Sequence, residues 1–157
     1  MVPSLLFDIS MIDLDAVQGD AAEIERANPH RGHMRMLDGI IWLNEDLSEA
    51  LAYKDVRADE FWVPGHIPGR PIFPGVLMIE AAAQLASFLM IKRLPEVQFV
   101  GFAGVENVKF RGQVTPGDRL VVLGKAIEVR RRRCICDAQG LLRGTLVFEA
   151  RIIGMPM

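Results

Sequence analysis

Residues 75–91 read GVLMIEAAAQLASFLMI, a stretch that is apolar at almost every position. A helix is predicted from about residue 74 to residue 93, because Pro74 suits a first turn and Pro95 ends the helix. A helix that is apolar on every side has to be buried on every side. A small domain can achieve this by wrapping a curved antiparallel sheet around the helix, with a second subunit covering the remainder. The stretch therefore predicts an α+β fold and a homodimer.

Strand-like segments flank this helix on both sides. Segments rich in β-branched, aromatic and other apolar residues are separated by polar or Gly/Pro-containing turns. Two of them precede the helix and up to four follow it, at residues 36–44, 49–56, 98–110, 119–131, 132–141 and 145–153. A short helix is also predicted over residues 20–27, capped by Asp20 and ended by Pro29.

The composition restricts the functional classes. The chain has 157 residues, of which 50% are hydrophobic and 24% charged, with a net charge of −2. This size suits one domain, and the charge argues against a nucleic-acid binder. No basic segment followed by an apolar run begins the chain, and the apolar run at 81–91 is interrupted by Gln84 and Ser87. We therefore expect neither a signal peptide nor a membrane span, and a cytoplasmic location.

Two cysteines, Cys134 and Cys136, are separated by one residue. In a strand they point to the same face and are poorly placed to form a disulfide with each other. We expect buried or half-buried thiols. The two histidines of the segment His30-Arg31-Gly32-His33 lack a third and fourth ligand nearby, so no metal site is expected.

Candidate catalytic groups lie in and after a rigid loop. Four prolines and three glycines lie between residues 64 and 75, and His66 is in this loop. On the helix that follows, Glu80, Gln84 and Ser87 have the spacing i, i+4, i+7 and form one polar stripe. A neutral imidazole, the unpaired amide of Gly75 at a helix N-terminus and a carboxylic acid in apolar surroundings could together remove a proton and expel a hydroxyl.

Each of these residues also has a purely structural interpretation. Glu80 could be a paired core acid or face a water-filled cleft, since burying an unpaired carboxylate costs several kcal/mol. His66 could be a loop histidine bonded to the backbone, and Gly75 could serve steric clearance alone. The run of four arginines at 130–133 is either a solvated strand edge that prevents aggregation or a docking patch for an acidic partner or phosphate group. In the second case the patch comprises four cations: Lys109, Arg111, Arg131 and Arg133.

Several motifs resemble one known family. The sequence carries Gly-His, Pro, Phe-Pro-Gly-Val-Leu and Glu-Ala-x-Ala-Gln at residues 65–66, 71, 73–77 and 80–84. It also carries Pro-His-Arg at 29–31, Val-Lys-Phe-Arg at 108–111 and Pro-Gly-Asp at 116–118. These segments resemble the bacterial 3-hydroxyacyl-(acyl carrier protein) dehydratases, the FabZ/FabA-like hot dog fold enzymes of fatty acid elongation. The resemblance implies a single hot dog domain over residues 1–157, with residues 1–28 as an N-terminal extension of unassigned role.

The resemblance also implies roles for the candidate residues. His66 is expected to be the catalytic base and Glu80 the catalytic acid, contributed by opposite subunits of a dimer. The amide of Gly75 is expected to hold the thioester carbonyl, with Val76 beside it, and Gln84 to orient Glu80. The implied reaction is reversible loss of water from a (3R)-3-hydroxyacyl thioester on acyl carrier protein, giving the trans-2-enoyl thioester. No metal, nucleotide or organic cofactor is implied.

Two alternatives remain open at this point. A hot dog thioesterase would hydrolyse the same thioester, and a non-catalytic acyl-binding subunit would keep the fold without turnover. The retention of both His66 and Glu80 argues against the second. The dimer could also assemble further, into a trimer of dimers.

Overall fold

A computed structural model describes residues 3–157 as an antiparallel sheet wrapped around one long helix. The elements, in chain order, are α1 (Ala21–Ala27), β1 (Gly39–Leu43), β2 (Glu49–Asp55), α2 (Gly75–Arg93), β3 (Val100–Phe110), β4 (Arg119–Arg130), β5 (Arg133–Leu142) and β6 (Thr145–Pro156). The six strands lie in the order β1-β2-β4-β5-β6-β3, and every neighbouring pair is antiparallel. The predicted α+β hot dog architecture is confirmed.

Helix α2 is the centre of the core. Its buried apolar residues, from Met78 to Met90, pack against the inner face of the sheet. The helix packs closely on β4 at Gly124, where an added Cβ would lie 3.0 Å from the Leu85 side chain. By length and composition α2 could also cross a membrane, but more than half of it is buried in the domain. Its first turn stays open, since Val76 is 70% exposed in the protomer.

The observed starts of α2 and β1 differ from the predicted ones, whereas α2 ends at Arg93 as predicted. Pro74 is the residue before the helix, with extended backbone angles, and α2 begins at Gly75. The sequence predicts a first strand over residues 36–44, whereas β1 begins at Gly39. Met36 and Leu37 are buried nonetheless, because this segment packs beside α2 rather than in the sheet. Apolar composition therefore predicted a strand conformation that residues 36–38 do not adopt.

The arginine run is divided by a turn. The sequence predicts strands over 119–131 and 132–141, but Arg131 and Arg132 form the two-residue turn between β4 and β5. Strand β6 continues to Pro156, beyond the predicted end at 153, because it pairs with β3 as far as Val100. Strand pairing sets both boundaries, since Arg130 pairs with Arg133 across the turn and Pro156 pairs with Val100.

The N-terminal segment covers the outer face of the sheet. An outer cluster of buried residues is formed by Ile41, Leu51, Val121, Leu123 and Leu141. Side chains of the segment pack on it, and the rings of Phe7 and Trp42 lie 5.8 Å apart. The side chain of the buried Gln139 binds the backbone of the segment: Nε2 donates to Ser4 O, and Oε1 accepts from the amide of Leu6. The part of the chain to which the sequence assigned no role therefore closes the second side of the sheet.

Local predictions for α1 and the cysteines are confirmed. The Asp20 side chain accepts a hydrogen bond from the amide of Glu23 and caps α1. Cys134 and Cys136 are free, buried thiols that both belong to the main core cluster. Burial raises the pKa of the Cys136 thiol to about 12.

Candidate active site

The His66 ring has a defined tautomer. Its Nδ1 lies 2.7 Å from the carbonyl oxygen of Ile72. Because a carbonyl oxygen can only accept, Nδ1 carries the proton, and Nε2 of the neutral ring is left as the proton acceptor. Backbone bonds fix the residue at both ends of the loop: the His66 amide donates to Trp62 O, and the Ile72 amide donates to His66 O. The side chain is exposed in the protomer.

The first turn of α2 lies beside His66. Gly75 and Val76 line one cavity together with His66 and Phe110. No side chain caps this helix end, and the first amides of a helix have no partner within it. A Cβ on Gly75 would lie 2.8 Å from the Phe110 ring, so glycine at this position lets the ring pack directly against the first turn. The turn therefore offers N–H donors and the positive end of the helix dipole to an acceptor.

Glu80 is held from the opposite direction by Gln84. The Gln84 amide group donates from Nε2 to Glu80 Oε1 (2.8 Å) and to Met34 O (2.6 Å), while its Oε1 accepts from the amide of Met36 (2.8 Å). Gln84 is only 1% exposed, so its orientation is set by these contacts. The predicted role of Gln84 in orienting Glu80 has this geometry as its support.

His30 is a neighbour of Glu80. The sequence pattern had suggested for it only the role of a metal ligand, which was not expected. Its Nε2 lies 3.4 Å from Glu80 Oε1, and both residues line the same cavity. The other histidine of that segment, His33, packs instead against the Phe61 ring. Within residues 3–157 no three His, Cys, Asp or Glu side chains are grouped as a metal site. The Pro-His-Arg motif at 29–31 was the available signal for placing His30 at the site.

His66 and Glu80 line separate cavities of the protomer. Glu80 comes five positions after Gly75, which places the two residues about 140° apart around the helix axis. Gly75 and Val76 therefore line the His66 cavity, and Gln84 lines the Glu80 cavity. Strand β3 passes both cavities, since Phe102 near its start lines the Glu80 cavity and Phe110 at its end lines the His66 cavity.

The four cations proposed for docking lie in two places. Lys109 and Arg111 both contact Glu149, at 3.5 and 2.9 Å, and the hydrogen bond from Arg111 lowers the pKa of that carboxyl. Arg133 makes two hydrogen bonds to Glu128, and Arg131 lies in the adjacent turn. The start of β5 pairs with β6 near Gly154, so the Arg133 group lies about 20 Å along β6 from Glu149. Within the protomer the two groups do not form one patch.

A family model described as a FabA-like domain matches residues 28–151. The chain belongs to the FabA-like family. Among curated relatives, it is 40% identical over 135 residues to the 3-hydroxyacyl-(acyl-carrier-protein) dehydratase FabZ of Lactococcus lactis subsp. cremoris, covering 85% of this chain and 92% of that protein. It is 36% identical over 140 residues to the bifunctional enzyme LpxC/FabZ of Chlorobaculum tepidum, of which it spans 30%.

Among solved structures, the fold is matched by the dehydratase heterocomplex ApeI:P from Xenorhabdus doucetiae. The TM-score is 0.72 at 18% identity, over 85% of this chain and 90% of the other. A hypothetical thioesterase with coenzyme A from Streptococcus pneumoniae matches with a TM-score of 0.59 at 11% identity, covering 87% of this chain and 92% of the other. At these identities the likeness shows the shared fold alone.

Proposed function

We propose that this protein is a 3-hydroxyacyl-(acyl carrier protein) dehydratase that reversibly removes water from a (3R)-3-hydroxyacyl thioester. The observation that carries the proposal is the tautomer of His66, whose free Nε2 lies in one cavity with the uncapped first turn of α2. Membership in the FabA-like family and 40% identity to a FabZ dehydratase support it. The chain would act as one hot dog domain, in the cytoplasm.

The residues divide the reaction between them. Nε2 of neutral His66 accepts the α-proton, and the amide of Gly75, with Val76 beside it, stabilises the charge that develops on the thioester carbonyl oxygen. Glu80, oriented by Gln84, gives its proton to the leaving hydroxyl, which departs as water while the Cα–Cβ double bond forms. Proton exchange with solvent then restores both side chains.

The complete site requires a homodimer formed through β3. This strand is an edge of the sheet, and it exposes 53% of Phe102, 37% of Val105 and 50% of Phe110. Antiparallel pairing of β3 with its copy, about an axis near the middle of the strand, puts the Phe102 end of one strand against the Phe110 end of the other. One subunit's Glu80 cavity then faces the partner's His66 cavity. Such dimers could further assemble as a trimer of dimers.

Acyl carrier protein is the proposed partner. Lys109 and Arg111 flank Phe110, which lines the His66 cavity, so their charges lie where an acidic carrier would approach. Arg131 and Arg133, in and after the β4–β5 turn, form the second cationic group of the proposed docking surface.

The proposal is tested by mixing the pure protein with a short trans-2-enoyl thioester and following loss of the conjugated chromophore. Hydration without release of free thiol is expected. His66→Ala should lower the hydration rate by at least about 100-fold, the low end for loss of a general base. The matched control is His33→Ala, another exposed histidine, which should keep the wild-type rate. Thiol release would identify a thioesterase, and neither reaction would identify an acyl-binding subunit.

A further inference from the structure

A buried lysine lies on the inner face of the sheet. Lys54 alternates with Ala50 and Ala52 along β2, and all three side chains point toward the core. The Lys54 side chain is 2% exposed, and its Nζ lies 5.6 Å from the centroid of the Phe73 ring. Taking an ammonium out of water costs several kcal/mol, and an ion pair seldom recovers more than this. Stability alone therefore does not explain the position of Lys54.

Its partner is the carboxylate of Glu60, which is 6% exposed and accepts two hydrogen bonds besides the ion pair with Lys54. Oε2 lies 3.1 Å from Lys54 Nζ and accepts from Trp62 Nε1 at 3.0 Å. Oε1 accepts from the amide of Arg57 at 2.8 Å. Both oxygens thus face donors only. An amide in place of the carboxylate would turn an NH₂ group toward one of these donors, so Gln cannot reproduce the arrangement.

This cluster joins directly to the His66 loop. Trp62, whose indole is bonded to Glu60, accepts the amides of Gly65 (3.1 Å) and His66 (2.8 Å) at its carbonyl oxygen. The Trp62 ring packs on Phe73, with ring centroids 5.5 Å apart. Phe73 directly follows Ile72, whose carbonyl holds the His66 ring. Lys54 and Glu60 therefore contact residues on both sides of His66.

We propose that Lys54, Glu60 and Trp62 are positioning residues that hold His66 in the orientation and tautomer needed for proton abstraction. The inference rests on the proposed function for its kinetic consequence. Lys54 is held in strand β2, and its ammonium group orients the Glu60 carboxylate. Glu60 in turn binds the indole of Trp62, and the carbonyl oxygen of Trp62 accepts the His66 amide. The buried ion pair therefore connects the His66 loop, which has no regular secondary structure of its own, to the rigid strand β2.

The first variants separate this role from bulk stability. Trp62→Phe keeps a ring against Phe73 and keeps the ion pair, but removes the Nε1–H donor. Lys54→Met/Glu60→Leu removes both charges together, which avoids an unpaired buried charge, and it also takes the acceptor from the Trp62 indole and the Arg57 amide. For both variants we expect kcat for enoyl thioester hydration to fall about 10- to 100-fold, the cost of small misplacement of a catalytic group. KM should change by less than about threefold, because the proposed substrate-binding residues are untouched.

The second readout is the tautomer of His66, observed in long-range ¹H–¹⁵N spectra of the imidazoles, with His66→Ala to assign the signal. The wild type should show a protonated Nδ1 alone, and both variants a mixture of tautomers. The control Asp137→Asn removes a two-bond ion pair to Arg151 elsewhere in the sheet and should change neither readout. Folded variants with wild-type kcat, or with low kcat and an unaltered His66 tautomer, would overturn the proposal. If the wild type hydrates no enoyl thioester, the proposed function fails while the spectra still decide the positioning role.

Discussion

A single side chain, that of Gln84, orients Glu80 and also binds the segment before β1. Its amide group joins Glu80 to the backbone at Met34 and Met36, so the acid and the segment before β1 share one anchor. The sequence places Gln84 on the polar stripe of the helix, one turn after Glu80. Its bonds to Met34 and Met36 are long-range contacts that spacing could not predict.

Replacing Gln84 by Leu is expected to lower the free energy of unfolding by about 2 kcal/mol, because the buried Met36 amide loses its only described acceptor. Hydration activity should fall as well, since Glu80 loses its orienting donor. Urea denaturation and the enoyl thioester assay measure the two effects. Gln84→Glu is the matched comparison: it can still accept from Met36 but cannot donate to Glu80. Wild-type activity in both variants would show that Gln84 does not orient the acid.

The buried Cys136 thiol is expected to make the free energy of unfolding fall as the pH becomes alkaline. Burial raises its pKa to about 12 from 9.0, so the unfolded chain loses this proton at lower pH than the folded protein. The stabilisation is complete below about pH 9 and is lost as the pH rises toward 12, at about 1.4 kcal/mol per pH unit. Between pH 8.5 and 10.5, Cys136→Ala should lose about 2 kcal/mol less stability than the wild type. Urea denaturation at both pH values measures this, and equal losses would contradict it.

At the scale of elements, the segment before α1 acts as a cover for the sheet. Phe7→Ala is expected to lower the free energy of unfolding by about 1–2 kcal/mol, since the half-buried ring packs on Trp42. Urea denaturation followed by tryptophan fluorescence measures the change. The control is Met11→Ala in the same segment, because Met11 is 94% exposed and its loss should be within about 0.5 kcal/mol of zero. Equal stability of both variants would mean that the segment contributes no packing energy.

The helix and the edge strand show the limits of local pattern. Apolarity on every side correctly predicted that the sheet would enclose α2, and Pro74 marked its start to within one residue. The same pattern could not say which part of the helix remains open, because this depends on where the sheet ends. In the structure the open part is the first turn, at Val76, close to the exposed end of β3.

For the whole molecule, the central prediction is that each site uses two subunits. His66→Ala and Glu80→Ala should each be inactive alone, but a mixture refolded together should regain about a quarter of wild-type activity, since half the dimers are mixed and each has one intact site. The hydration assay measures the recovery. Adding Val105→Asp to both variants should abolish it by placing like charges opposite each other at the β3 edge. No recovery in the first mixture would mean that each site lies within one chain.

The sequence by itself determined the fold class, the central helix and the identity of the catalytic candidates, because these depend on local periodicity and on residue types at short spacing. His66, Gly75, Glu80 and Gln84 lie within 19 residues, and rigid loop and helix geometry relate them. Only the tertiary structure decided that Glu80 turns away from His66 and meets His30, and that the N-terminal segment closes the sheet. It also decided that Lys54 reaches Glu60, since these contacts come from the packing of distant segments, which chain spacing does not encode.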